Sequence, residues 1–166
     1  MTIPLADLSF WNDVDDLLSA LYRVGPEPVP ELRSALTSLC DHADPDVREE
    51  ALRILATRWK DPEGRRIAIA ALGADPAANV RSAAAIAVAV TSDPSTCADD
   101  TRVMLAVLRN TGIDPDVRGA AYDALVILHR RGAGSGIWPF PTKQRPFDGD
   151  RDVDWKWIRE LERTAS

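Results

Sequence analysis

An all-α solenoid of repeated helix pairs is the fold this chain predicts, and three observations carry it. Five Asp-Pro dipeptides punctuate the sequence, at Asp44-Pro45, Asp61-Pro62, Asp75-Pro76, Asp93-Pro94 and Asp114-Pro115. Three Val-Arg pairs, Val47-Arg48, Val80-Arg81 and Val117-Arg118, recur at spacings of 33 and 37 residues, in the range of helical repeat arrays. Alanine is abundant and aromatics make up only 6% of the chain, a composition that suits helices packed closely together.

Each Asp-Pro pair reads as a helix start. The carboxylate accepts the orphan N–H groups of a first helical turn, and proline suits the next position, where no N–H is needed. Three of the pairs open similar segments: DPDVREEALRILA from Asp44, DPAANVRSAAAIAVAV from Asp75 and DPDVRGAAYDALVIL from Asp114. These are the expected second, or B, helices of each pair, while Asp61 and Asp93 stand at the entrances to first, or A, helices. The A helices are PELRSALTSL from Pro30, RRIAIAALG from Arg65 and ADDTRVMLAVLRN from Ala98.

Aligning the B helices on Val-Arg brings together Ala51, Ala84 and Ala121, then Ile54, Ala87 and Ala124, then Leu55, Val88 and Leu125. Val47, Ala51, Ile54 and Leu55 fall at i, i+4, i+7 and i+8, one apolar helical stripe. A single pair cannot bury such a stripe alone, so the pairs must stack. The longer second step comes from the connection TSDPSTCADD.

The expected organisation is one domain over residues 1–166. A capping helix occupies 10–25, with Val14, Leu17, Leu18 and Leu21 as its apolar side and Asn12 or Asp13 as its cap. The stiff stretch GPEPVP leads into the repeats, residues 30–131. Residues 132–150 are rich in glycine, proline and aromatics, including Trp138, Phe140 and Phe147. These aromatics either cover the open end of the last repeat or form a partner-binding loop, where aromatics serve as hot spots. A final helix, 152–164, is capped by Asp152 or Asp154 and docks through Trp155, Ile158 and Leu161, with Trp157 beside them.

The motif Asp-Pro-x-Val-Arg, followed by a small-residue pair and an aliphatic in DPDVREEALRIL and DPDVRGAAYDAL, resembles the HEAT-repeat family in its bacterial HEAT-like form, also known as the PBS-lyase-type repeat. The second copy departs, with two extra residues between Pro76 and Val80. The resemblance implies a right-handed α-α superhelix of about three helix pairs with N- and C-terminal capping helices. It also implies structural roles for Asp46, Asp116, Arg48, Arg81 and Arg118, which in such repeats cap helices and bond between neighbours.

The net charge is −6, unevenly placed. Residues 1–50 hold 11 acidic and 3 basic residues, a net of −8; residues 51–166 hold 15 and 17, a net of +2. This balance repels nucleic acid phosphates and steers a basic partner toward the N-terminal end. No apolar run approaches the roughly 18 residues of a membrane span. The segment MTIPLADLSFWNDVDD has no basic region before an apolar stretch, so no signal peptide is expected. Cys40 and Cys97 read as free thiols within the helices. Together these features fit a cytoplasmic protein.

Catalytic constellations do not assemble. Asp148, Asp150, Asp152 and Asp154 have the alternation of a calcium loop, but its glycine position is Val153 and its bidentate Glu position is Arg159. Helix capping explains the run better. The two histidines, His42 and His129, form no repeated His-Glu pairs, the device by which hydroxylases of the resembling fold hold iron. No nucleophile triad or phosphate loop is present. No metal, cofactor or enzymatic activity is therefore expected. HEAT-like DNA glycosylases are the alternative, since Trp59 and Asp123 supply their residue types; bilin-attaching lyases share the repeat, without a specific match here.

In a HEAT-like stack the B helices line the concave surface. The register turns outward the rows Glu49, Ser82, Gly119; Arg53, Ile86, Asp123; Thr57, Val90, Ile127; and Lys60, Asp93, Arg130. The residues expected to bind a partner are Glu49, Arg53, Thr57, Ser82, Ile86, Asp123, Arg130 and Trp138. The expected function is a non-enzymatic module for protein–protein interaction, of the bacterial immunity or regulatory scaffold type, holding a basic protein or peptide on its concave face.

Overall fold

The computed structural model describes residues 13–130 and 147–164, with the side chain of Arg130 not described. Every element among them is helical. Helix α1 (Val14–Leu21) starts where the Asp13 carboxylate accepts from the Asp15 N–H at 2.7 Å. It buries Leu17, Ala20 and Leu21. Three helix pairs follow: α2 (Pro30–Leu39) with α3 (Pro45–Leu52), α4 (Pro62–Ala74) with α5 (Ala78–Thr91), and α6 (Cys97–Arg109) with α7 (Pro115–Arg130). The short α8 (Gly149–Asp152) and α9 (Trp155–Thr164) complete the described chain.

Three Asp-Pro pairs cap as expected. Asp44 accepts from the Asp46 N–H at 2.9 Å, Asp61 from Glu63 at 2.8 Å and Asp114 from Asp116 at 2.8 Å. Two do not. Helix α5 begins only at Ala78, so the two extra residues of the second copy leave Asp75 outside it. The Asp75 carboxylate accepts from the Ala77 N–H at 2.8 Å and is clasped by Arg48 of the preceding repeat. Asp93 closes a turn onto the N–H groups of Ser95 and Thr96, ahead of α6.

Helix α3 runs into a wider π-helical turn, Arg53–Arg58, in which the Trp59 N–H reaches the Ile54 carbonyl at 2.9 Å. Helix α4 starts directly against this turn. A Cβ on Gly64 would lie 2.7 Å from the Ala56 nitrogen and 2.8 Å from the Leu55 carbonyl carbon, so glycine alone permits the crossing.

The B helices form one layer: α5 packs on α3 with its π turn on one side and on α7 on the other. The A helices pack on B helices, and α1 packs on α3. Ala84, Ala85, Ala87 and Ala89 of α5 are all buried; their small volume lets three neighbours approach one central helix. An N-terminal core around Leu21, Leu36, Val47 and Leu55 meets a larger one around Val88, Met104, Leu125 and Ile158, with Cys40 and Ile67 packed against both. Burial, with Asp41 nearby, pushes the Cys40 thiol up to about 12, which keeps it neutral and unreactive.

Arg-Asp pairs tie each repeat to the next. Arg33 of α2 bonds Asp61, Arg48 of α3 grips Asp75 through two bonds of 2.9 Å, and Arg65 of α4 grips Asp100 of α6 likewise. The last two pairs are largely buried. Asp46 also reaches across, accepting from Asn79 at 2.9 Å. Arg81 donates to the Asp75 carbonyl within its own repeat, and Arg118 donates to the Leu108 carbonyl while its guanidinium lies over the Phe147 ring at 5.9 Å. Asp114 serves as a helix cap rather than as an acceptor for Arg81, whose Nε is enclosed without a partner.

The C-terminal elements cover the far side of the last pair. Trp157 meets the Tyr122 ring edge-on at 5.9 Å, Arg109 lies over Trp155 at 4.5 Å, and the Trp155 indole donates to the Gly149 carbonyl. Asp148 caps α8, and Asp154 caps α9 through the Trp157 N–H at 3.0 Å. These bonds give the aspartate run a capping role.

Candidate protein-interaction face

The candidate binding residues lie on α3, its π turn, α5 and α7, which make up the B layer. At its N-terminal end lies a polar cluster. Glu49 accepts from Asn79 at 2.9 Å and stands 3.9 Å from Arg53, whose side chain is half exposed. Glu50 is almost fully buried and pairs with Arg58 at 2.7 Å and with Arg53 at 3.6 Å. A carboxylate buried this deeply requires such partners. Arg58 also donates to the Val24 carbonyl. Glu49 and Arg53 are thus brought together with Glu50, Arg58 and Asn79, which the outward rows had not singled out. The pairing of Glu50 with Arg58 spans eight residues, beyond the i+3 and i+4 spacing by which helical ion pairs are read from sequence.

Thr57, Ser82 and Ile86 are half-buried along the layer. The Ser82 hydroxyl is enclosed and has no hydrogen-bond partner. Ile127 packs against the core, as does Phe147, whose ring would lie 3.1 Å from a Cβ on Gly119. The fourth outward row breaks up. Lys60 follows the π turn at φ 53°, and Asp93 lies beyond the end of α5. The side chain of Arg130, and Trp138 with it, fall outside the described residues.

Among the carboxylates of the B helices that are not exposed, Asp123 stands apart. Glu49 and Glu50 both have partners, whereas the half-buried Asp123 carboxyl accepts no hydrogen bond and joins no ion pair among the described residues. Burial pushes its pKa up to about 7.

Trp59 occupies a different place from the one the base-excision alternative needs. It is buried in the N-terminal core, and its indole donates to the Gly25 carbonyl at 3.1 Å. It therefore offers no open aromatic surface beside Asp123. Among the described residues, no cluster of three His, Cys, Asp or Glu is arranged to hold a metal ion. No described helix is long and apolar enough to cross a membrane.

A family model described as HEAT repeats matches residues 29–126. No curated protein and no solved structure matches the chain. The matched segment runs from the residue before α2 to the last turns of α7 and so takes in all three helix pairs. The chain belongs to the HEAT-repeat family.

Proposed function

We propose that this protein is a non-enzymatic binding module that holds a protein or peptide partner along its B-helix face, the concave side of the stack. HEAT repeats generally act as scaffolds for protein–protein interaction, and the family is typically non-enzymatic. The observation that carries the reading is Asp123: a half-buried carboxyl with no partner among the described residues, on a layer where the other buried and half-buried acids, Glu49 and Glu50, are matched. Leaving such a group unpaired costs free energy, which a basic side chain from a partner would offset. Ile86 offers apolar contact in the same row, and Glu49 with Arg53 frames the other end.

The acidic N-terminal end favours a basic partner. An immunity-type role, masking a basic toxin in a bacterial cytoplasm, is the concrete form of this proposal; a regulatory scaffold would use the same face. Affinity capture from the native host, using wild-type protein and a variant with Glu49, Arg53 and Asp123 reversed in charge, tests the site. The wild type retains a partner and the variant loses it. Retention of the same partner by the variant would refute the assignment. A DNA-binding titration at low salt is expected to show no association; salt-sensitive binding would instead favour the base-excision alternative.

A further inference from the structure

Glycine inside a helix lowers its stability relative to alanine. Gly119 nonetheless lies within α7. The reason stands opposite it. A Cβ at this position would come 3.1 Å from Cγ and Cδ2 of Phe147 and 3.3 Å from its Cβ. The missing side chain is a seat for an aromatic ring. Arg118 forms one wall of the seat, its guanidinium carbon 5.9 Å from the ring centroid and within cation–π range. The Arg118 Nε donates to the Leu108 carbonyl at 3.0 Å, so this wall is fixed by the last helix pair and not by the ring.

The segment that fills the seat is lightly held. Phe147 is half-buried, and the α8 turn that follows it buries none of its residues. The hydrogen bonds at the head of α8 close on α8 itself. Asp148 accepts from the N–H groups of Asp150 and Arg151, and its own N–H donates to the Asp152 carboxylate at 2.8 Å. Attachment to the stack resumes at Val153, which is buried, and at Asp154, whose N–H donates to the Tyr122 hydroxyl at 3.2 Å. Lifting the Phe147 ring out of its seat therefore leaves these bonds and the docking of α9 in place. An element with few buried groups opens at low free energy.

We propose that the seat formed by Gly119 and Arg118 binds an aromatic side chain of the partner protein and is kept filled by the chain's own Phe147 until that ring replaces it. This deepens the protein-binding reading and rests on it. Asp123 follows Gly119 by one turn on the same side of α7, so one partner segment can place a ring in the seat and a basic group at the carboxyl. Aromatic anchors in such pockets dominate the energy of protein interfaces, and an aliphatic side chain would offer Arg118 no π face.

The test uses the full chain and needs no native partner. Isotope-labelled protein is titrated with an acetylated peptide of the chain's own residues 147–154, Phe-Asp-Gly-Asp-Arg-Asp-Val-Asp, while its amide spectrum is followed. The same peptide with alanine for phenylalanine is the control. In Phe147→Ala protein the phenylalanine peptide should shift the Gly119 and Arg118 amides saturably, and the control should not. The wild type should bind about tenfold more weakly or less, because its tethered ring competes at high effective concentration. In the Phe147→Ala background, Gly119→Ala should weaken binding and Gly119→Leu, which fills the seat and favours the helix, should abolish it. The proposal is overturned if Phe147→Ala protein does not bind the phenylalanine peptide, or if the wild type binds it as tightly. It is also overturned if the control peptide binds equally, or if Gly119→Leu leaves binding unchanged. Affinity capture then separates the seat from the rest of the B face. Phe147→Ala should retain the partner at least as well as the wild type, and Gly119→Leu should lose it. Loss only on charge reversal at Glu49, Arg53 and Asp123, with Gly119→Leu still holding the partner, would overturn the seat and leave the B-face reading standing. The converse pattern would do the opposite.

Discussion

Replacing Asp123 with asparagine should stabilise the protein at alkaline pH and leave it nearly unchanged at acidic pH. Burial lifts the Asp123 carboxyl from 3.8 to about 7 in the folded chain. The sign follows from proton linkage. Between these values the folded state binds more protons than the unfolded state, so stability falls as pH rises through that window. At about 1.36 kcal/mol per unit the full displacement corresponds to roughly 4 kcal/mol. The side chain is only half-buried, and solvent screening reduces the expected effect to about 1–2 kcal/mol. Asparagine keeps the shape and has no charge to desolvate. Denaturant unfolding of both proteins at pH 3, below the unfolded value, and at pH 8 measures the difference directly. Asp123→Asn should match the wild type within about 0.5 kcal/mol at pH 3 and exceed it by about 1–2 kcal/mol at pH 8, which corresponds to a Tm rise of about 2–8 °C for a domain of this size. Taking the difference between variant and wild type removes other titrating groups, provided that they are not coupled to this site. An equal effect at both pH values, or a variant less stable at pH 8, would refute the claim that burial of an unpaired carboxyl governs this position.

Three further substitutions probe the scaffold. Gly64→Ala would drive a Cβ into the backbone of Ala56 and Leu55, and should cost about 3 kcal/mol or more in thermal or denaturant unfolding; a neutral result would mean that α4 can shift away from the π turn. A double-mutant cycle on Arg48→Ala and Asp75→Ala should give a coupling of about 1–3 kcal/mol at pH 7, because both side chains of this bidentate pair are largely buried. Arg48 holds the Asp75 carboxyl below its usual range, so this coupling is present above about pH 4 and is lost as pH falls through the depressed value; persistence at pH 2 would argue against an ionic origin. Trp59→Phe keeps most of the ring but removes the indole donor to Gly25, and should cost about 1–2 kcal/mol, with faster amide exchange in α1 as the local readout.

The repeat scaffold was legible because its signals are local. An aspartate before a proline caps a helix through N–H groups two or three residues away, and Asp44, Asp61 and Asp114 do so. The Val-Arg register likewise placed Val47, Val80 and Val117 in the core, where all three are buried. Asp75 escaped the same reading because a two-residue extension released it from the cap and offered it to Arg48, 27 residues earlier. The interaction face was less legible. The outward rows assumed uninterrupted α-helices, whereas the turn at Arg53–Arg58 widens the last part of α3 and places Lys60 beyond the helix.

By itself, the sequence determined the helices, their order and their pairing, since capping and apolar periodicity act over a few residues and need no distant partner. Only the tertiary structure decided which charges find one another across repeats, as with Arg65 and Asp100 at a separation of 35 residues. It also decided which are left over. Asp123 and its row-mate Arg53 looked equivalent in the linear pattern; packing gave the arginine two glutamates and left the aspartate half-buried and unpaired among the described residues. That difference arises because desolvation and ion pairing depend on what surrounds a group in space, which no window along the chain contains.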